Sequence, residues 1–300
     1  MPAVVFIHGI RSDCDSTFRD IPKIFSRESD AQFEEWAVVP YEYDWTRSIA
    51  TNASAFAEYL RILHGAINGQ EPDIYVIAHS MGGLVARRAI FEGAHTLVRR
   101  LIMLGTPNFG AVTTAQLGLI GQPAVAGVSK FIGQYLRAEG VWDLTRIPKL
   151  FRDATYHQVD TEYVTIPGTF FHDHRGFWER DNFEAANALF GTTYIATELL
   201  SAFKPLFRVT MTRPHDGIVE ERSCSLFPAR AGRWSEKDAS LTGTDTSEKT
   251  YAHVTPPRCD EMTHSRLACD SEIAALVKEL VLTPSISQWR AGRKGFSVDW

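Results

Sequence analysis

The sequence predicts an α/β protein, a mostly parallel sheet of about six strands with helices on both faces. Short β-branched apolar runs alternate with stretches of helical periodicity. Two of those runs, Ile74 to Ala78 and Leu101 to Leu104, are nearly all apolar instead of alternating, the pattern of central strands covered on both sides. The helical stretches fall between or after the strands, as in folds that wrap a parallel sheet in helices.

In chain order, Ala3 to Ile7 and Trp36 to Val39 read as strands, Thr51 to His64 as a helix, Ile74 to Ala78 as a strand, Met81 to Glu92 as a helix and Leu101 to Leu104 as a strand. Past Gly105 the rhythm breaks, and residues from about Thr106 to Asp160 read as an apolar helical insertion, interrupted by Gly and Pro, lying over the core. Tyr163 to Ile166 resumes the strand pattern, followed by a helix at Glu184 to Phe203 and strands at Phe207 to Met211 and Tyr251 to Val254. Ser271 to Leu282 closes the fold as a helix, with Ile273, Leu276, Val277 and Leu280 on one face and Ser271 placed to cap its start. The polar stretch Arg230 to Lys249 reads as a solvated loop. The reading is one domain over residues 1–300, with 106–160 as a lid-like insertion and 283–300 as a C-terminal tail that carries Trp289, Phe296 and Trp300 among Arg290, Arg293 and Lys294.

Composition narrows the function classes. With 300 residues, 44% hydrophobic and 22% charged, the chain can bury a sizeable core, which excludes disorder, collagen and repeat arrays. The 31 Lys and Arg against 36 Asp and Glu give a formal charge of −5, so no strong positive field draws it to nucleic acid. Cys14, Cys224, Cys259 and Cys269 are dispersed and form no CxxC pair, so neither a disulfide scaffold nor a thiolate zinc site is expected. The first strand begins almost at Met1, without a charged leader region or cleavage site, which predicts a cytoplasmic protein with reduced thiols; export by a signal-independent route is the alternative. The charge-free stretch Leu101 to Ser129 is broken by Pro107, Pro123 and several glycines, so no transmembrane helix is expected, and peripheral membrane contact stays open. No GxGxxG or GxxxxGK[ST] pattern implies a cofactor.

The sharpest chemical signal is Ile74-Tyr75-Val76-Ile77-Ala78-His79-Ser80-Met81-Gly82-Gly83: a buried strand, one serine between small residues, then a helix. A serine at such a turn is forced into strained backbone geometry, and small residues two positions either side, here Ala78 and Gly82, let the chain pass closely. Its hydroxyl then projects above the sheet, and the positive end of the following helix faces the reacting carbonyl. The segment resembles the nucleophile elbow of the α/β-hydrolase superfamily, in the form found in serine lipases and esterases, with Ala78 in place of the usual first glycine. Val4-Val5-Phe6-Ile7-His8-Gly9-Ile10 resembles the strand ending in His-Gly that supplies the other oxyanion donor, and a chain beginning there resembles the shortened lipase core without the first two strands. Leu104-Gly105-Thr106-Pro107-Asn108-Phe109-Gly110 is similar to the Gly-Thr-Pro turn of bacterial lipases and inositol-deacylase-like hydrolases.

The resemblance implies a carboxylic-ester hydrolase acting on lipid or acyl esters through an acyl-enzyme, with Ser80 as nucleophile and the backbone N–H groups of Ile10 and Met81 as the oxyanion hole. The superfamily order of serine, acid, histidine puts the acid at Asp216, in the Asp-Gly-x-Val turn Asp216-Gly217-Ile218-Val219, with Asp173 as the rival. The base is His264, in the loop before the closing helix, with His253 as the rival. His79, Phe109, Leu117 and Leu119 are candidates for lining the substrate pocket, and His8 is read as structural. The histidines at 157, 172, 174 and 215, together with Asp173, are irregularly spaced and read as solvated or hydrogen-bonded side chains, not as a metal site. An amidase or acyltransferase would use the same catalytic residues, and a binding protein of the same fold would not need them.

Overall fold

The computed structural model describes residues 1–26, 30–67, 73–110, 138–140, 143–144, 160–169, 216, 219, 221–226, 251–256 and 258–292. Strand β1 (Ala3–Ile7) leads through the short helix α1 (Cys14–Phe18) to β2 (Ala37–Tyr41), helix α2 (Ile49–Ala66) and β3 (Ile74–His79). Helix α3 (Met81–Phe91), β4 (Val98–Leu104) and β5 (Glu162–Ile166) follow, then α4 (Glu221–Cys224), β6 (Tyr251–His253), α5 (Ser271–Leu282) and α6 (Ile286–Gly292). Among the described residues the sheet has six strands in the order β2-β1-β3-β4-β5-β6, and every pairing between them is parallel. The predicted strand at 207–211 and helix at 184–203 lie outside the described residues, as do the loop at 230–249 and most of the insertion.

Side-chain alternation along each strand feeds two separate cores, which is why the strands read as unbroken apolar runs. Ala3, Val5, Ile7, Ile74, Val76 and Ala78 face the side covered by α2 and α3, while Val4, Phe6, Tyr75 and Ile77 face the side covered by α1 and α5. On the second side Phe6 meets Phe18 edge-to-face at 5.0 Å and Phe25 at 5.8 Å, geometries that aromatic rings favour. Helix α2 starts where the Ser48 hydroxyl accepts from the Thr51 N–H at 3.1 Å. The cap of α5 is Asp270, one residue before the expected Ser271: its backbone is still extended and its carboxylate accepts from the Glu272 N–H at 2.9 Å. Both residue types cap well, and the extended backbone decides which one does.

The apolar pattern marked β4 only from Leu101, yet the strand begins at Val98 and takes in Arg99 and Arg100. Arg100 is fully buried, an outcome that polarity argues against, because its charge is met on the spot. Its Nε donates to the Glu162 carboxylate at 2.8 Å, and Nη1 donates to the Leu280 and Thr283 carbonyls at the end of α5. Glu162 also accepts from the Ile286 N–H at 2.9 Å, so one ion pair ties β4, β5 and the start of α6 together. The stretch expected as a tail therefore contains a docked helix, with Ile286 and Trp289 buried and the indole N–H on Glu279 at 2.9 Å. Replacing Glu162 by Ala strands a buried guanidinium, so urea unfolding at neutral pH should show a loss of about 3 kcal/mol.

Candidate active site

Parallel pairing brings the ends of β1, β3 and β4 to one edge of the sheet, with Ile7 beside Ala78 and His79 beside Leu104. Ser80 sits at the end of β3 with φ 54 and ψ −128, in the left-handed region that L-residues avoid. Holding a non-glycine residue there costs on the order of 1–3 kcal/mol. The strain has a chemical consequence. Ser80 is the N-cap of α3, where a serine normally spends its hydroxyl on a helix N–H, yet its side chain makes no capping bond. The backbone is pinned instead by its N–H on the Leu104 carbonyl at 2.9 Å.

Glycines make the close approach possible. A Cβ on Gly82 would lie 2.2 Å from the His8 carbonyl oxygen, and one on Gly9 would lie 2.8 Å from the Ser80 Cβ. The first is the close passage that the small-residue pattern predicted, and the second brings the β1 turn against the serine. Met81 is the first residue of α3, so its N–H has no partner within the helix. Ile10 follows Gly9 in the turn after β1.

Asp216 and His264 meet on the same edge. Asp216 is fully buried and its Oδ2 accepts from His264 Nδ1 at 2.7 Å. Its Oδ1 accepts from the Val219 N–H at 2.8 Å, and its carbonyl accepts from the His264 N–H at 2.9 Å. Both the carboxylate and the backbone of Asp216 therefore orient the histidine, which compensates for burying the charge. With Nδ1 donating to the carboxylate, the neutral ring carries its lone pair on Nε2, the form that can accept a proton. Gly105, whose φ is 58, lies beneath the pair: a Cβ there would stand 3.1 Å from both Asp216 Oδ2 and His264 Nδ1. A Cβ on Gly168 would be 2.4 Å from the Met262 carbonyl oxygen and 3.0 Å from the Asp216 Cβ. Gly105 belongs to the Gly-Thr-Pro turn of the sequence, whereas no motif marks Gly168, which lies two residues after β5.

The remaining candidates separate. His79 is buried, and its Nε2 donates to the His264 carbonyl at 2.8 Å, with the two rings 4.7 Å apart. Burial, reinforced by the neighbouring His264, holds its pKa down at about 3, so it stays neutral and adds no positive charge beside that ring. His253, the rival base, donates to or accepts from Thr165 Oγ1 at 2.7 Å within the sheet. Phe109 is half-buried and its N–H donates to Ser223 Oγ at 3.2 Å, while Leu117, Leu119 and the rival acid Asp173 lie outside the described residues. The histidines at 157, 172, 174 and 215 lie outside them too, and among the described residues no group of three or more His, Cys, Asp or Glu could hold a metal ion. Cys14, Cys224 and Cys269 are free thiols; burial pushes Cys14 up to about 12 and Cys224 well above its usual range, which keeps both unreactive. No helix of the described residues is long and apolar enough to cross a membrane.

Comparison with known proteins agrees with this architecture. Residues 1–116 match a family described as a domain of unknown function, DUF7379. An uncharacterized protein of Saccharomyces cerevisiae is 34% identical over 89 residues, which are 30% of this chain and only 13% of the yeast protein's length. The mature form of the Bacillus licheniformis lipase BlEst2 superposes with a TM-score of 0.57 at 18% identity, over 93% of this chain and 91% of the lipase. The lin2722 gene product of Listeria innocua does so with a TM-score of 0.50 at 12% identity, over 94% of each chain. The chain has the α/β-hydrolase fold.

The depressed pKa of His79 has a thermodynamic signature. Its folded value of about 3 lies below the ordinary histidine value of 6.5, so between the two the unfolded chain binds a proton that the folded chain does not. Stability is therefore complete above that window and is lost as pH falls through it. The free energy of urea unfolding should decline between pH 7 and pH 5, and His79→Gln, which cannot titrate, should flatten that decline by up to about 1.4 kcal/mol per pH unit; equal slopes in the two proteins would contradict the assignment.

Proposed function

We propose that the chain is a serine hydrolase that cleaves carboxylic esters through an acyl-enzyme. The observation that carries this reading is a strained, uncapped Ser80 on the same sheet edge as a histidine whose Nδ1 is already committed to a buried carboxylate. In the reaction Ser80 Oγ attacks the acyl carbonyl carbon while its proton passes to His264 Nε2, and Asp216 stabilises the imidazolium. The oxyanion takes hydrogen bonds from the Ile10 and Met81 N–H groups, donors fixed before charge develops. The intermediate collapses as His264 protonates the departing alcohol. Water, deprotonated by the same nitrogen, then attacks the acyl-enzyme and releases the acid.

A lipid or other acyl ester is the substrate class that the likeness to the Bacillus licheniformis lipase supports. The apolar sequence of 106–160 supports the same class, because apolar side chains suit an acyl chain. Amidase and acyltransferase chemistry would run on the same groups and differ in the acceptor or leaving group.

Ser80→Ala should remove hydrolysis of p-nitrophenyl butyrate by on the order of 10⁴-fold or more and abolish labelling by a fluorophosphonate probe. Asp216→Asn should lower kcat by about 10⁴-fold through loss of the favoured His264 tautomer, with folding retained. Undiminished hydrolysis by Ser80→Ala would end the proposal.

A further inference from the structure

We infer that His8 is a positioning residue for the oxyanion hole: its ring holds the Gly9 carbonyl and thereby aims the Ile10 N–H at the acyl oxygen over Ser80. The inference deepens the esterase reading and rests on it. The sequence alone reads His8 as structural.

The state of the ring follows from its two partners. Nδ1 lies 2.7 Å from the Gly9 carbonyl oxygen, and Nε2 lies 3.2 Å from the Tyr43 backbone nitrogen. A carbonyl can only accept and an amide N–H can only donate, so Nδ1 carries the proton and Nε2 the lone pair. Burial lowers the pKa of His8 and supports the neutral ring against the Glu42 carboxylate, 3.1 Å from Nε2, and the more distant Asp13. The ring has little freedom. It is almost fully buried, stacks on Tyr43 at 4.4 Å and 16°, and the Tyr43 hydroxyl donates to the His8 carbonyl at 3.2 Å.

What this clamp controls is one peptide plane. The Gly9–Ile10 bond is trans, so the Gly9 C=O and the Ile10 N–H point in opposite directions, and holding the first behind the turn directs the second to the other side. That plane lies against the nucleophile, because a Cβ on Gly9 would fall 2.8 Å from the Ser80 Cβ and 3.1 Å from His79 Nδ1. It is also the plane most prone to turn over. Glycine tolerates both signs of φ, and the next turn carries Arg11 at φ 55. A flipped peptide would present a carbonyl oxygen to the developing oxyanion and replace attraction by repulsion. The His8 bond is the side-chain contact that opposes the flip, and it acts on the transition state more than on substrate binding.

The test compares His8→Leu, His8→Asn and His8→Gln in the full chain with p-nitrophenyl butyrate as substrate and butylboronic acid as a tetrahedral mimic. Losing one oxyanion donor outright lowers turnover by about 10²- to 10³-fold. A donor that is merely misaimed for part of the time should cost His8→Leu about 10- to 100-fold in kcat. KM should stay within about two-fold, and boronate affinity should fall in parallel with kcat. The Asn amide nitrogen can take the place of Nδ1 and should restore most of the loss, whereas Gln reaches toward Nε2 and should not. A kcat for His8→Leu within about two-fold of the parent, beside an inactive Ser80→Ala, overturns the role of His8 and leaves the esterase reading standing. An active Ser80→Ala would sink the esterase reading itself. If His8→Leu does not fold, the Asn and Gln pair decides, and equal kcat values in the two overturn the inference.

Discussion

Three neighbouring strands of a parallel sheet end side by side, and at or just after each exit the chain turns through a left-handed residue: Arg11 at φ 55 after β1, Ser80 at φ 54 after β3 and Gly105 at φ 58 after β4. Parallel pairing makes this possible, because it brings every C-terminal strand end to one edge with its carbonyls and loops on the same side. The turns are sharp enough that glycine is needed where they meet most closely, Gly9 on Ser80 and Gly82 on the His8 carbonyl. The proposed chemistry depends on that crowded edge. A serine relaxed into ordinary capping geometry would spend its hydroxyl on its own helix.

The edge is crowded with buried polar groups, and their pairing shows how the energy is managed. The buried Asp216 carboxyl group has a histidine N–H on one oxygen and a backbone N–H on the other. His8 and His79 are buried neutral, each with a ring nitrogen donating to a carbonyl: that of Gly9 in one case and of His264 in the other. Burial holds both pKa values down, so neither ring brings a positive charge near His264. These two rings hold backbone, whereas His264 commits Nδ1 to the Asp216 carboxylate, and in the proposed reaction its Nε2 takes the proton. The division of labour among three histidines comes from what each Nδ1 and Nε2 touches, and residue type alone says nothing of it.

Away from the site, the Arg100–Glu162 pair plays the equivalent part for the opposite end of the sheet. It is the reason a strand with two arginines lies in the sheet at all, and it fastens the end of α5 and the start of α6.

Local pattern was sufficient for whatever depends on short sequence separation. Unbroken apolar runs marked β1, β3 and part of β4 because both faces of those strands are covered, and the step from Ala78 through Ser80 to Gly82 marked a turn that only small residues permit. The Asp-Gly-x-Val turn and the histidine before the closing helix were legible as motifs, and the structure pairs them at 2.7 Å. Tertiary structure alone decided the rest. His79 finds its carbonyl 185 residues away, the His8 tautomer depends on an amide 35 residues away, and Arg100 becomes a core residue through a carboxylate 62 residues away. A sequence displays the periodicity and the steric demands of its own segment; which donor meets which acceptor across the sheet is set by the register of strands and the packing of helices, and these exist only once the chain has folded.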